Sequence, residues 1–244
     1  MTRPHRPWVI RTILLLLIST SASATTWVQV EVTCPLCGAV NPFQIPGSYG
    51  SYVFQEPSKL QYVFWPSTTD KFLYTCRKCH LTAYMGDFDA IPEAKIQELQ
   101  TMLERDARIE GDVVPYDEIP MVTRLPIAEK VYRILDRDDR FWCEFRRIEG
   151  FHLEAAGRAD EARRARLEAL ALAEKLLKED ATTRKETLVI AAAMRRITGD
   201  LAGAERDLGE AKTLTYRSEQ LGPESSAGLD QYLDSLIEAL RGDR

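Results

Sequence analysis

Four cysteines fall in two pairs, Cys34-Pro35-Leu36-Cys37 and Cys76-Arg77-Lys78-Cys79, with 38 residues between them. A thiolate is a good ligand for zinc, and two C-x-x-C pairs supply the four that close a tetrahedral structural site. One pair supplies only two, so the zinc reading needs both. The interval exceeds the roughly 15–20 residues common between zinc pairs, and an insertion between two metal knuckles would account for it. The expectation is a Zn2+ ion held by Cys34, Cys37, Cys76 and Cys79. Four thiolates leave no coordination position for water or substrate, so such an ion staples the fold and does not act as a Lewis acid.

Two other chemistries compete for the same residues. Cys76 to His80 spells C-x-x-C-H, the attachment string of a c-type haem. His80 would then be one axial ligand, and Met85, Met102, Met121 or His152 the second. That reading leaves Cys34 and Cys37 without a role. The pairs also suit thiol redox or thiol-based metal handling, or two inert disulfides, in an oxidising compartment. Oxidoreductases of this kind place the first Cys at a helix N-terminus, which lowers its pKa. Here Gly38–Gly47 follows Cys37 and holds two Pro and two Gly, a composition that disfavours a helix. The fifth cysteine, Cys143 in Phe141-Trp142-Cys143-Glu144-Phe145, is expected to be a buried structural thiol.

The elements that would deliver the pairs are strands. Val28-Gln29-Val30-Glu31-Val32 alternates apolar and polar residues and runs into Cys34, and Phe72-Leu73-Tyr74-Thr75 runs into Cys76. Two hairpin tips brought together would gather four sulfurs, so residues 28–91 read as a zinc-ribbon-like module. Its aromatics Phe43, Tyr49, Tyr52, Phe54, Tyr62, Phe64, Trp65, Phe72 and Tyr74 are expected to build a core that so small a module could not otherwise assemble. A partner-facing role for Gln61-Tyr62-Val63-Phe64-Trp65 is the alternative.

From Pro92 the composition turns helical. Pro92 suits a helix start, Ile96, Leu99 and Leu103 share one face, and Gly111 marks a stop. Residues 112–126 contain three prolines, so 92–125 reads as a helix and a Pro-rich linker. Residues 126–244 read as a helical array with an internal repeat. Gly157 and Gly199 each follow a small residue by seven positions, Gly150 and Ala192. Each precedes Ala at five and twelve positions, Ala162 and Ala169, Ala204 and Ala211. Small residues that admit close helix approach, with Gly at the turn, resemble the tetratricopeptide pattern. The stripe Leu229, Tyr232, Leu233, Leu236, Ile237 and Leu240 suits a helix that caps such a stack. The Arg residues at 158, 163, 164 and 166 alternate with acids and suit a solvated face. The fold class expected is α+β, mostly α.

Residues 1–24 have the layout of a secretory signal peptide. Arg3, Arg6 and Arg11 precede the apolar run Ile13–Ile18, and Ala22-Ser23-Ala24 offers a cleavage site. The run is far shorter than the roughly 20 residues of a membrane span, so the mature chain is expected to be extracytoplasmic and without stable membrane insertion. Cleavage would remove three of the 32 Lys+Arg and none of the 37 Asp+Glu, leaving 29 against 37 and a formal charge of −8. Residues 28–91 hold five acids and four bases. Nucleic-acid binding rests on phosphate neutralisation by Lys and Arg, so no nucleic-acid partner is expected.

The knuckle Cys34-Pro35-Leu36-Cys37-Gly38, the second knuckle Cys76–Cys79 with Tyr84 and Asp87-Phe88 after it, and the helices of 126–241 resemble a bacterial family known as Domain of Unknown Function 2225. The resemblance implies the architecture and the four-cysteine metal site. It implies no activity. The sequence holds no H-E-x-x-H, no phosphate-binding Gly loop and no Ser/His/Asp or Cys/His setting. The functional expectation is an exported, non-enzymatic interaction or scaffold protein with a protein or peptide partner. Thiol redox or metal handling through the two pairs is the alternative, and a c-type haem protein the third reading.

Overall fold

In the computed structural model, which describes residues 26–48, 69–106, 109, 114–179, 183–217 and 222–242, strand β1 (Thr26–Thr33) pairs antiparallel with β2 (Val40–Ser48). Val30 faces Phe43 and Val32 faces Asn41 across the ladder. β2 carries Pro42 and Pro46. A two-stranded ribbon has only edge strands, so prolines fit without breaking an inner ladder. A one-turn helix α1 (Thr69–Phe72) precedes a second hairpin of β3 (Leu73–Thr75) and β4 (Thr82–Tyr84), and α2 (Met85–Phe88) follows. Phe72, expected in the strand, ends α1 instead. Tyr49, Tyr52, Phe54 and the stretch Gln61–Trp65 lie outside the described residues, as do residues 1–24.

Helix α3 (Glu93–Asp106) buries Leu99, Met102 and Leu103. A 3-10 turn at Tyr116–Glu118 leads to α4 (Met121–Ile134). This corrects the linker expectation: the helix begins at Met121 with Pro126 inside it, so a boundary at 125/126 falls within α4. Pro126 forfeits the hydrogen bond to the carbonyl of Val122, a cost of about 3 kcal/mol in a helix interior. Burial of Met121, Leu125, Ile127, Ala128 and Val131 offsets that loss.

The segment is not a spacer. The Tyr116 hydroxyl donates to the Lys71 carbonyl at 2.9 Å and accepts from the Gln44 N–H at 3.3 Å. Arg124, wholly buried, donates from Nη1 to the Leu73 carbonyl at 2.8 Å. One apolar cluster runs through Cys34, Phe43, Tyr74, Phe88, Leu99, Leu125 and on to Tyr132 and Ile148. The cysteine module and α3–α5 therefore share a core.

Helices α5 (Asp139–Ala155) and α6 (Ala159–Glu179) form one hairpin, and α7 (Arg184–Thr198) and α8 (Leu201–Ala211) a second. The two turns are alike. Gly157 (φ +76°) and Gly199 (φ +100°) are left-handed, and the next residue's N–H reaches back five positions, Arg158 to Leu153 and Asp200 to Arg195. This is the Schellman closure that satisfies terminal carbonyls. Ala162, Ala169, Ala204 and Ala211 are all buried at the helix contacts, and a Cβ on Gly150 would lie 2.9 Å from Arg166 Cγ. The internal repeat is thus a repeat in structure.

Helix α9 (Pro223–Gly242) buries the predicted stripe Leu229, Tyr232, Leu233, Leu236, Ile237 and Leu240 in a second core with α6–α8. Lys185 Nζ meets Asp230 at 2.6 Å and Asp234 at 2.8 Å. Helix α7 is buried without a break from Thr187 to Met194, because α9 covers the side that α6 and α8 leave open. The class is α+β, mostly α, as expected. No helix among the described residues is long and apolar enough to cross a membrane.

Candidate metal centre

The turn after β1 and the turn after β3 have the same construction. In the first, Cys34 N–H donates to the Ala39 carbonyl at 2.9 Å and Gly38 N–H to the Cys34 carbonyl at 2.9 Å. In the second, Cys76 N–H donates to the Leu81 carbonyl at 2.8 Å and His80 N–H to the Cys76 carbonyl at 3.0 Å. The residue after the second Cys of each pair is left-handed, Gly38 at φ +69° and His80 at φ +60°. Glycine adopts this freely, and His is among the few other residues enriched there. His80 is further tied by its Nδ1, which accepts from the Ile109 N–H at 3.1 Å.

These two tips bring all four predicted ligands together. The sulfurs of Cys34, Cys37, Cys76 and Cys79 lie within 4.8 Å of one another. Two approaches cross between the knuckles, Cys34 to Cys79 and Cys37 to Cys76, both at 3.6 Å. No disulfide joins any of them in this structure. A tetrahedral ion with metal–sulfur bonds of about 2.3 Å sets its sulfurs about 3.8 Å apart, so the donor set and its spacing fit a four-thiolate ion. Cys34 and Cys76 are buried, Cys37 and Cys79 half-buried.

The electrostatics express the crowding. The contact with Cys76, reinforced by burial, pushes the Cys34 thiol up to about 12. Contacts with Cys34 and then Cys76 drive Cys79 well above the usual thiol range. Hydrogen bonding from Cys34 and then Cys79 holds Cys76 far below it. Like charges this close cannot all form unaided, so full ionisation calls for a cation at the centre.

A residue outside the cysteine pattern joins the knuckles. Asn41 is 1% exposed. Its Nδ2 donates to the Ala39 carbonyl at 2.9 Å and lies 3.7 Å from Cys76 Sγ, while its Oδ1 accepts from the Arg77 N–H at 2.9 Å. The Lys78 N–H also reaches Cys76 Sγ at 3.5 Å. Below, Phe43 and Tyr74 stack with centroids 3.9 Å apart and Phe88 meets Phe43 edge-on. Asp87 accepts from the Tyr132 hydroxyl at 2.9 Å and pairs with Arg137, tying the module to α4. The open side is a groove of about 750 Å³ lined by Cys37, Cys79, His80, Gln100 and Leu103 among others.

The remaining candidates lie elsewhere. Met102 and Met121 are core residues and Met85 packs against that core. His152 sits on α5 with Nε2 buried and unpartnered, its pKa lowered to about 4 by burial and by the Arg124 charge. Cys143 is buried between α5 and α6, its thiol 3.4 Å from the Ala169 carbonyl and its pKa raised by burial. Sequence reasoning missed Asn41, whose only signal is a polar residue facing inward next to Phe43 in an apolar-alternating strand. In the comparisons with known proteins, no family model, curated protein or solved structure matches this chain.

Proposed function

We propose that the four sulfurs hold one structural Zn2+ and that the protein is a non-enzymatic scaffold whose helical face engages a protein or peptide partner. The observation that carries the metal reading is the four-sulfur cluster, with two of its cross-knuckle distances at 3.6 Å. Cys34, Cys37, Cys76 and Cys79 would be the ligands, and the ion would supply the positive charge that lets four crowded thiols ionise. With all four positions taken by sulfur the ion stabilises and does not activate water. Haem attachment through Cys76 and Cys79 is less well supported, because each of these sulfurs is in contact with a sulfur of the other pair.

The scaffold reading rests on the two stacked hairpins. With α7 covered by α9, the surface left for a partner lies on the first hairpin and α4. A cleft there of about 320 Å³ is lined by Val122, Leu125, Leu153, Arg146 and Glu149 among others. The resemblance to Domain of Unknown Function 2225 stands as part of this proposal, on the knuckle residues, Tyr84 and Asp87-Phe88. Export through residues 1–24 is likewise part of it.

The test is metal content and partner capture on the full chain purified without reductant. One zinc per chain, displaced only when the four thiols are modified, supports the staple. A metal-free chain with Cys34–Cys37 and Cys76–Cys79 disulfides overturns it in favour of thiol redox chemistry. Capture by the wild-type chain of a protein that is lost on Leu153→Glu supports the scaffold, and unchanged capture removes the cleft from consideration.

A further inference from the structure

Helix α3 and the residues just beyond it are tied to each of the two knuckles by a hydrogen bond. Gln100 Nε2 donates to the Leu36 carbonyl, inside the first C-x-x-C pair, at 2.5 Å. Three residues past the end of the helix, the Ile109 N–H donates to Nδ1 of His80, the residue after the second pair, at 3.1 Å. Gln100, Leu103 and Glu104 line the same groove as Cys37 and Cys79. The helix also borders α4. Ala94, Gln97, Thr101 and Met102 line a second groove, of about 740 Å³, together with Lys130 and Ile134. Lys130 Nζ donates to the Asp106 carbonyl at the last residue of α3, at 3.1 Å.

Of the 14 residues of α3, Leu99, Met102 and Leu103 are buried. A helix of this length is marginal in water on its own, so its neighbours must supply its seat. Leu36 is 6% exposed and belongs to the same apolar cluster as Leu99 and Leu103. The first knuckle therefore gives that seat a side chain as well as a carbonyl. Helix α4 has separate support from α5, through the rings of Tyr132, Phe141 and Phe145 and the Arg146–Glu129 pair.

We propose that α3 is a metal-dependent strap. An ion shared by Cys34, Cys37, Cys76 and Cys79 joins the two turns, because binding a structural metal is linked to the folding of its ligands. Leu36 and His80 are then held at the spacing that α3 and Ile109 bridge, and the helix lies on α4 and walls the second groove. Without the ion the turns are no longer joined, α3 loses its ties, and it opens while α4 stays on α5. Metal occupancy thereby decides whether the groove between α3 and α4 exists. This rests on the metal reading above. Gln100 and His80 act as positioning residues and not as ligands.

The experiment follows amide hydrogen exchange by peptide mass spectrometry, with zinc content measured on the same samples. It compares the zinc-loaded full chain, the chain stripped by chelator, and a loaded Gln100→Met/His80→Gly variant, in which glycine keeps the left-handed turn. Stripping is expected to raise exchange across 93–106 about tenfold by local opening and to leave 121–134 protected. The double variant should hold one zinc, keep 26–48 and 73–84 protected, and exchange across 93–106 as fast as the stripped chain. Gln100→Met alone, which leaves both knuckles untouched, should raise exchange across 93–106 by a smaller factor. Exchange at α3 that ignores stripping, an equal rise across α4, or a loaded Gln100→Met chain indistinguishable from wild type overturns the strap. A chain that takes up no zinc removes the metal reading and the strap together, whereas zinc uptake without change at α3 removes the strap alone.

Discussion

Asn41 stands behind Cys76, with its Nδ2 3.7 Å from the sulfur and its Oδ1 holding the Arg77 N–H at 2.9 Å. One side chain from β2 therefore fixes the start of the second knuckle while its other N–H, through the Ala39 carbonyl, fixes the end of the first. Replacing it with Leu removes these bonds and takes the acceptor from the Arg77 N–H, while the Ala39 carbonyl keeps the Cys34 N–H. The expected cost is about 2–3 kcal/mol of stability. Metal affinity should fall about 10–100-fold, the range for residues that orient ligands. Chelator competition and thermal unfolding of Asn41→Leu measure both. An affinity within error of wild type would show that the knuckles hold their own geometry.

Metal removal should act unevenly along the chain. The cysteines belong to the core shared with α3, α4 and the buried face of α5, whereas α7, α8 and α9 close a second core. Structural metal binding is linked to the folding of its ligands. Stripping the ion with a chelator, or substituting Cys34→Ser, is expected to raise amide hydrogen exchange across 26–48 and 73–106. Residues 188–194 and 229–240 should keep their protection. Uniform loss of protection would mean that the two cores unfold as one unit.

His152 gives a pH dependence whose sign is fixed by its surroundings. Burial, and then the Arg124 charge, lower its pKa from 6.5 to about 4. The unfolded chain binds the proton first, so stability is complete above about pH 6.5 and falls as the pH drops towards 4. The shift sets an upper limit of roughly 3 kcal/mol. Half-buried Glu149 and Glu186, whose pKa values are raised chiefly by burial, respond in the opposite sense and partly mask the decline. The difference between wild type and His152→Phe isolates the histidine. Equal slopes in denaturant titrations at pH 7, 6, 5 and 4 would show that it is hydrated in the native state.

Much of this arrangement was legible because it rests on local rules. The two C-x-x-C pairs, the strand before Cys34, the stripe from Leu229 to Leu240 and the Gly157/Gly199 turns each follow from spacing that sterics or ligand geometry imposes. What escaped depends on contacts between segments distant in sequence. Pro126 closes a proline-rich stretch that reads as a linker, yet α4 runs from Met121 through it because Leu125 and Ala128 are needed in a core whose other half is Phe43 and Tyr74. The arginines at 158, 163, 164 and 166 read as one solvated face, yet Arg166 is buried against Gly150 and paired with Glu154. Arg124, Arg146 and Arg147 are buried too. Their long apolar stems pack inside while guanidinium groups reach carboxylates or carbonyls, an outcome that composition alone does not announce.

The equivalence of the two hairpins yields a paired prediction. Gly157 and Gly199 are both left-handed and neither has an atom within 4 Å of where a Cβ would sit. The penalty for Ala is then backbone conformation alone, about 1–2 kcal/mol at each position. Gly150 sits on an ordinary helix with Arg166 Cγ 2.9 Å from an added Cβ, so Gly150→Ala tests packing where the turn variants test φ. Gly157→Ala and Gly199→Ala should shift stability by similar amounts and add in the double variant, since the turns share no partner. Equilibrium denaturation of the wild type and these four variants gives the answer. A penalty at one turn and none at the other would mean that the hairpins, alike in geometry, are not alike in how tightly their ends are held.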